Sequence, residues 1–326
     1  MIVVIAAIVV MPKIDIMNPQ LNQIKSLEVS LLAALSLFVL GLLPARAAAP
    51  VANTLKPPEK DPIPVAFLIS DRAVVIDFCG PWEVFQDVNV PSRQEMPFRL
   101  YTVAETKKPI RTSGGMQIIP DYTITDAPAP KVIVIPAQSD PSPAVLEWVK
   151  ESSRTTDVTM SVCTGAFLLA KTGLLSGKSV TTYHGAFGRF AMKYPDVQLK
   201  RGARFVETGN LATAGGLSSG IDLALRVVER YYGRDVAEKT AYNMEYQGHG
   251  WKNADSNQVY AAPPVSTTER PVCPVCAMDV DPKIAPKSVF KGATYYFCSA
   301  DDKKTFDAAP ETFVNEAGVT ASRSSN

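Results

Sequence analysis

The chain is short of cysteine, of unpaired charge and of long apolar runs, and each shortage excludes a class of function. Five cysteines in 326 residues are too few for a disulfide scaffold. Thirty-three Lys+Arg against thirty-two Asp+Glu leave a formal charge of +1, which offers no electrostatic footprint to DNA, RNA or an anionic membrane surface. The first apolar run, residues 1–11, falls short of the roughly 20 residues a membrane-spanning helix needs. Nineteen glycines without internal repeat exclude a collagen-like chain. Nucleic-acid binding and multi-span membrane functions are excluded as well. What is present is an ordinary globular composition, 46% apolar and 20% charged. At roughly 150 residues per domain this length predicts about two units, and 26 prolines predict stiff connections between elements.

Residues 1–49 read as a secretory signal peptide that is cleaved. A polar stretch holding Lys25 precedes the mostly apolar block 29–43, and small residues at A-x-A spacing follow in Ala45-Arg46-Ala47-Ala48-Ala49. Met17 is a natural start for such a signal, and an uncleaved anchor helix is the alternative. Residues 50–63 are a Pro/Lys-rich linker. The expected location is therefore periplasmic or secreted, with no stable membrane span after cleavage. Residues 64–252 alternate strand-like and helix-like segments. Strands are expected at 65–70, 98–104, 131–135, 157–162 and 211–214, and helices at 81–88, 143–153, 164–172, 186–194 and 218–232. This alternation predicts an α/β sandwich with a mainly parallel sheet. A linker at 253–271, a small cysteine-bearing module at 272–314 and a Ser-rich tail at 315–326 complete the chain.

The sharpest local signal is Ser161-Val162-Cys163-Thr164-Gly165-Ala166-Phe167. A strand ending at Val162 and a helix beginning near Thr164 place Cys163 in a tight turn, a cysteine elbow where Gly165 permits close approach. A helix N-terminus supplies free N–H groups and partial positive charge, so a lowered thiol pKa and a nucleophilic role for Cys163 are expected. A buried structural cysteine is the bland alternative.

With two further stretches, Val75-Ile76-Asp77-Phe78-Cys79-Gly80-Pro81-Trp82-Glu83 and Thr213-Ala214-Gly215-Gly216-Leu217-Ser218-Ser219-Gly220-Ile221-Asp222, this region resembles the ThiJ/PfpI family of the class I glutamine amidotransferase-like superfamily. Within it, the resemblance is to the branch holding isonitrile hydratases and the sensor domains of AraC-type regulators. The resemblance implies a flavodoxin-like sandwich, usually a homodimer, acting on a small molecule without a cofactor. It maps the acidic residue that faces the cysteine onto Asp77, and places the Thr164 hydroxyl and N–H toward the substrate. A carboxylate there either shares the thiol proton or orients water; as a helix cap, Asp77 sits early for a helix starting near Pro81. Glu83 reads as structural or as a dimer contact. Several relatives bring a histidine to the cysteine from a Thr-Thr-His stretch, but here Tyr183 occupies that place and His184 follows. A Cys163–His184 dyad and a non-catalytic His184 both stay open, and His249 reads as surface. The Pro-Gly-Gly usual after the 131–135 strand is Pro136-Ala137-Gln138, which disfavours amidotransferase or protease chemistry, although Ala137 can still offer its N–H. Cys79 is either a disulfide partner of Cys163 or a spectator.

In the small module, Cys273-Pro274-Val275-Cys276-Ala277-Met278 precedes Tyr295-Tyr296-Phe297-Cys298-Ser299. A C-x-x-C pair closed by a distant cysteine lets thiolates converge on one soft ion. The stretch resembles the YHS domain, a treble-clef-like metal module, whose further cysteine maps onto Asp302. Cys273, Cys276, Cys298 and Asp302 are the expected ligands, for zinc ahead of copper, and a disulfide among the cysteines is the alternative. Two functions follow. One is an exported hydro-lyase of the isonitrile-hydratase kind with Cys163 as nucleophile. The other is a non-catalytic small-molecule, redox or metal-stress sensor. Beside these two stands a redox or aldehyde-detoxifying role in which Cys163 is oxidised to a stabilised sulfinate.

Overall fold

A computed structural model of the protein describes residues 54–316, apart from 263–265, 268 and 277. Residues 1–49, expected to be a signal peptide, the first residues of the linker and the end of the tail lie outside the described residues. Among those described, no helix is long and apolar enough to cross a membrane.

The first domain is built on a seven-stranded sheet. Its strands are β1 (Ile63–Leu68), β2 (Phe98–Ala104), β3 (Tyr122–Thr123), β4 (Val132–Ile135), β5 (Val158–Val162), β6 (Phe205–Thr208) and β7 (Leu211–Ala214). They lie in the order β6-β7-β5-β4-β1-β2-β3. Every junction is parallel except β6–β7, a hairpin on the edge. Central strands such as Val132-Ile133-Val134-Ile135 are buried throughout because helices cover both faces, which is why they read as continuous apolar runs. Phe67, Val132 and Val134 pack on one face, with Phe78, Val84 and Phe85. Leu68, Ile133 and Ile135 pack on the other, with Val145, Leu169 and Phe190.

The helices of this domain are α1 (Val75–Gln86), α2 (Pro143–Ser152), α3 (Gly165–Lys171), α4 (Phe187–Lys193), α5 (Ser219–Tyr232) and α6 (Arg234–Asn243). Four of the five expected helices lie where the sequence places them, to within a residue or so at each end. The helix expected at 81–88 instead starts six residues earlier, with Pro81 inside it. Proline marks first turns well, and here it forfeits one backbone bond in mid-helix. Packing on α5 outweighs that loss: the Pro81 ring meets Gly220, and Gly80 meets Ile221. The shift matters, since it puts Asp77 in the first turn of α1. Strands β3 and β6 and helix α6 are not among the expected elements; both strands are short, half-buried and at the edges of the sheet, and α6 follows α5 after only Gly233, whose φ of 86° breaks the helix in two.

The second module has the antiparallel pair β8 (Lys287–Phe290) and β9 (Ala293–Tyr296), then α7 (Ala300–Ala308) and α8 (Pro310–Glu316). Ser299 caps α7 by accepting from the Asp302 N–H at 3.1 Å. Among the described residues, its buried apolar cluster is Cys273, Val275, Ala293, Tyr295, Phe297, Phe306 and Phe313.

Candidate active site and metal centre

The order of the sheet places its topological switch between β1 and β4, and the loops leaving the carboxyl ends of β1, β4 and β5 converge there. Ala137 lies in the loop after β4, Cys163 in the turn after β5, and Asp77 in the first turn of α1, which the loop after β1 leads into. Cys163 has φ 58°, a left-handed conformation that costs a non-glycine residue about 1–2 kcal/mol. The turn is held on both sides: the Cys163 N–H donates to the Gly215 carbonyl at 2.9 Å, and the Cys163 carbonyl accepts from the Thr182 hydroxyl at 2.8 Å. Glycine is required next to it, because a Cβ at Gly165 would overlap the Ile135 carbonyl.

Asp77 is fully buried. Its Oδ2 accepts from the Ala137 N–H at 3.1 Å, while its buried Oδ1 has no hydrogen-bond partner of ordinary geometry. Burial pushes the carboxyl up to about 6, opposed by the Ala137 N–H and the Cys163 thiol. The Cys163 thiol is itself pushed up to about 12, first by burial and then by the Asp77 charge, although the N–H groups of Thr164 and Leu217 pull the other way. The expected lowering at a helix N-terminus is thus reversed, since two backbone donors do not offset desolvation next to a carboxylate. Near neutral pH the pair holds one proton on sulfur and a negative charge on Asp77, next to the two N–H groups directed at the sulfur. Ala137, expected to remain available to an anion, instead spends its N–H on Asp77.

Thr164 precedes the first turn of α3, half-buried, without a side-chain cap bond. Tyr183, in the place where relatives carry histidine, interacts with Cys163, and burial pushes its phenol up. His184 does not join the pair: it lies in a 3-10 turn, stacks on Tyr260 with ring centroids 4.7 Å apart, and is lowered by burial alone. Cys79 is a free thiol; two residues beyond Asp77, it sits about 200° round the helix from it. His249 is exposed, as expected.

A cleft of about 150 Å³ opens beside the pair, lined by Tyr183, His184, Phe187 and Tyr260 with Arg204 and Leu217 among its other walls. Cys163 and Asp77 are not part of its lining; Leu217 and Tyr183, which interact with Cys163, are. Arg204 is spent on the buried Asp222, which its Nε reaches at 2.6 Å. Asp222 also accepts from the Tyr246 hydroxyl at 3.0 Å and the Trp251 N–H at 2.8 Å, and so pins the segment that carries Asn257 and Tyr260 to the cleft. Leu217 and Asp222 belong to a stretch that the sequence singled out without assigning roles.

A sequence profile of the DJ-1/PfpI family matches residues 64–230. The chain belongs to the DJ-1/PfpI family. The isonitrile hydratase of Pseudomonas putida is 30% identical over 187 residues, covering 56% of this chain and 78% of the hydratase. The HTH-type transcriptional regulator GbdR of Pseudomonas aeruginosa is 23% identical over 200 residues, and the match spans 54% of the regulator. A THiJ/PfpI family protein from Pseudomonas syringae shares the DJ-1/PfpI fold with a TM-score of 0.52 at 23% identity, covering 64% of this chain and 84% of that structure.

A YHS domain profile matches residues 272–317, and there the four expected ligands come together. The Cys273, Cys276 and Cys298 sulfurs and an Asp302 oxygen all lie within 4.8 Å of one another. Cys276 and Cys298 sulfurs are 3.2 Å apart, and Asp302 Oδ2 is 3.1 Å from Cys298 and 3.5 Å from Cys273. A tetrahedral ion with 2.3 Å bonds to sulfur needs edges of about 3.8 Å, so a small expansion seats it. The turn is closed by the Cys273 N–H on the Met278 carbonyl at 2.9 Å. Cys273 accepts from the Cys276 thiol and from backbone N–H groups of Cys298, Cys276 and Val275, which hold it down to about 7 against burial. A thiolate poised in this way, with two further thiols and a carboxylate, fits a soft or borderline divalent ion.

Proposed function

We propose that this chain is an exported hydratase that adds water to a small electrophile of the isocyanide type, with Cys163 as nucleophile. The observation that carries the reading is the buried pair of Cys163 and Asp77, in contact with each other and flanked by the N–H groups of Thr164 and Leu217. The likeness to isonitrile hydratase supports it.

The Cys163 sulfur adds to the isocyanide carbon and the thiol proton passes to that same carbon, giving a thioimidate. Asp77 takes a proton from water as the water oxygen bonds to the carbon, and hands that proton to the nitrogen. The carbon–sulfur bond then breaks as Asp77 takes the remaining hydroxyl proton and returns it to the sulfur, and an N-formyl amide leaves. No external oxidant or reductant is consumed. Thr164 and Leu217 N–H groups stabilise the negative charge on sulfur as it forms and departs.

Hydration of an aryl isocyanide, followed by absorbance with the full chain and its Cys163→Ala variant, tests this. Turnover confined to the wild type is the expected result; no turnover, or equal turnover in both, overturns it. A second reading, ligand binding without turnover, draws support from the protonated, 8% exposed thiol and the regulator relatives. It predicts saturable binding of a small ligand that survives Cys163→Ala. Export rests on the pattern of residues 1–49, and the mass of the mature N-terminus tests it. Homodimerisation in solution belongs to the same proposal.

A further inference from the structure

The metal module packs against the segment that walls the cysteine site. A Cβ built on Gly185 would lie 2.5 Å from the Cys276 carbonyl oxygen and 2.6 Å from the Tyr183 ring. Next to it, Gly188 in α4 faces the Val275 carbonyl and the Phe313 ring at ordinary contact distances. The Tyr183 ring is also closed in from the opposite direction, since a Cβ on Gly216 would lie 2.6 Å from it. Gly216 precedes Leu217, whose N–H reaches the Cys163 sulfur. An unbroken run of contacts therefore leads from a metal ligand, Cys276, through Gly185, Tyr183 and Gly216 to the loop that holds the thiol.

We infer that the metal-binding turn of the C-terminal module is the outer wall of the cysteine site, and that Tyr183 is the positioning residue through which metal loading sets access to Cys163. The physical reason lies in the size of the module. Its buried cluster, seven residues among those described, is too small to hold the fold alone, so its order depends on the ion. Without metal, the turn at 273–276 loosens, the Cys276 carbonyl and Phe313 withdraw from α4 and its preceding turn, and the Tyr183 ring loses one side of its slot. The two-state element that such coupling requires is the module itself. The coupling does not depend on which reaction Cys163 performs.

Iodoacetamide labelling of Cys163, read by peptide mass on the full chain, reports access directly. The protein is compared with one equivalent of zinc and after removal of zinc by a chelator. Labelling is expected to rise about tenfold on zinc removal, while labelling of Cys79 in the same digest stays constant. Tyr183→Ala is expected to label fast with or without zinc, and Tyr183→Phe, which keeps the ring, to behave as wild type. Equal Cys163 labelling with and without zinc overturns the inference, as does failure to take up zinc. An equal rise at Cys79 overturns it too, because the whole sandwich would then be loosening. Undiminished zinc protection in Tyr183→Ala also overturns it, as the ion would then be acting on Cys163 itself.

Discussion

Asp77 and Cys163 each raise the cost of ionising the other, and burial raises it for both. A carboxyl whose ordinary value of 3.8 is raised to about 6 binds its proton more tightly folded than unfolded. Its contribution is therefore neutral below 3.8 and turns destabilising as pH rises from there through about 6, where it reaches about 3 kcal/mol. Asp77→Asn removes that charge and keeps an oxygen for the Ala137 N–H. Its melting temperature is expected to exceed that of the wild type at pH 8 and to match it at pH 3.5, a difference that calorimetry across this range measures. On the hydratase reading, wild-type turnover rises as pH passes through about 6 and Asp77 ionises; Asp77→Asn loses that rise along with most of its activity, which a pH–rate profile reads.

The elements that meet at the site tolerate substitution very unevenly. Gly165 opens α3 with its Cα against the carbonyl of Ile135, a backbone group in a central strand that cannot move aside. Gly80 lies in α1 against the Ile221 side chain, at 2.9 Å from its Cγ1 for an added Cβ, a contact with a half-buried side chain and not with backbone. Gly165→Ala is expected to cost on the order of 4 kcal/mol in denaturant unfolding. For Gly80→Ala, displacement of Ile221 opposes the gain of roughly 1 kcal/mol from replacing glycine in a helix. Its stability should stay within about 1 kcal/mol of wild type, and the same titration compares the two.

Across the whole molecule, the small module and the sandwich depend on different forces. The sandwich buries two apolar layers, one on each face of the sheet, whereas the module relies on its four converging ligands. Asp302 is the weakest of these for a soft ion, since its oxygen stands where sulfur would bind more strongly. Asp302→Cys is expected to tighten zinc binding about tenfold or more, measured by competition with a chromophoric chelator. An unchanged or weaker affinity would remove Asp302 from the ligand set.

Much of this was legible along the chain. Continuous apolar runs marked strands buried on both faces, the Val162-Cys163-Thr164-Gly165 turn marked the elbow, and C-x-x-C with a distant cysteine marked the metal site, because strand pattern, tight turns and ligand spacing are local properties. What lay beyond it depended on contacts between distant segments. The early start of α1 came from packing of Pro81 on Gly220. The protonated state of Cys163 came from burial next to Asp77, against the local pull of the Thr164 and Leu217 N–H groups. Tyr183, not His184, neighbours the thiol because a 3-10 turn follows it and the His184 ring stacks on Tyr260. Local sequence determines backbone preference and ligand type; which groups are desolvated together, and which module wall closes over a thiol, is decided only when the chain has packed, since desolvation and contact are properties of the folded volume.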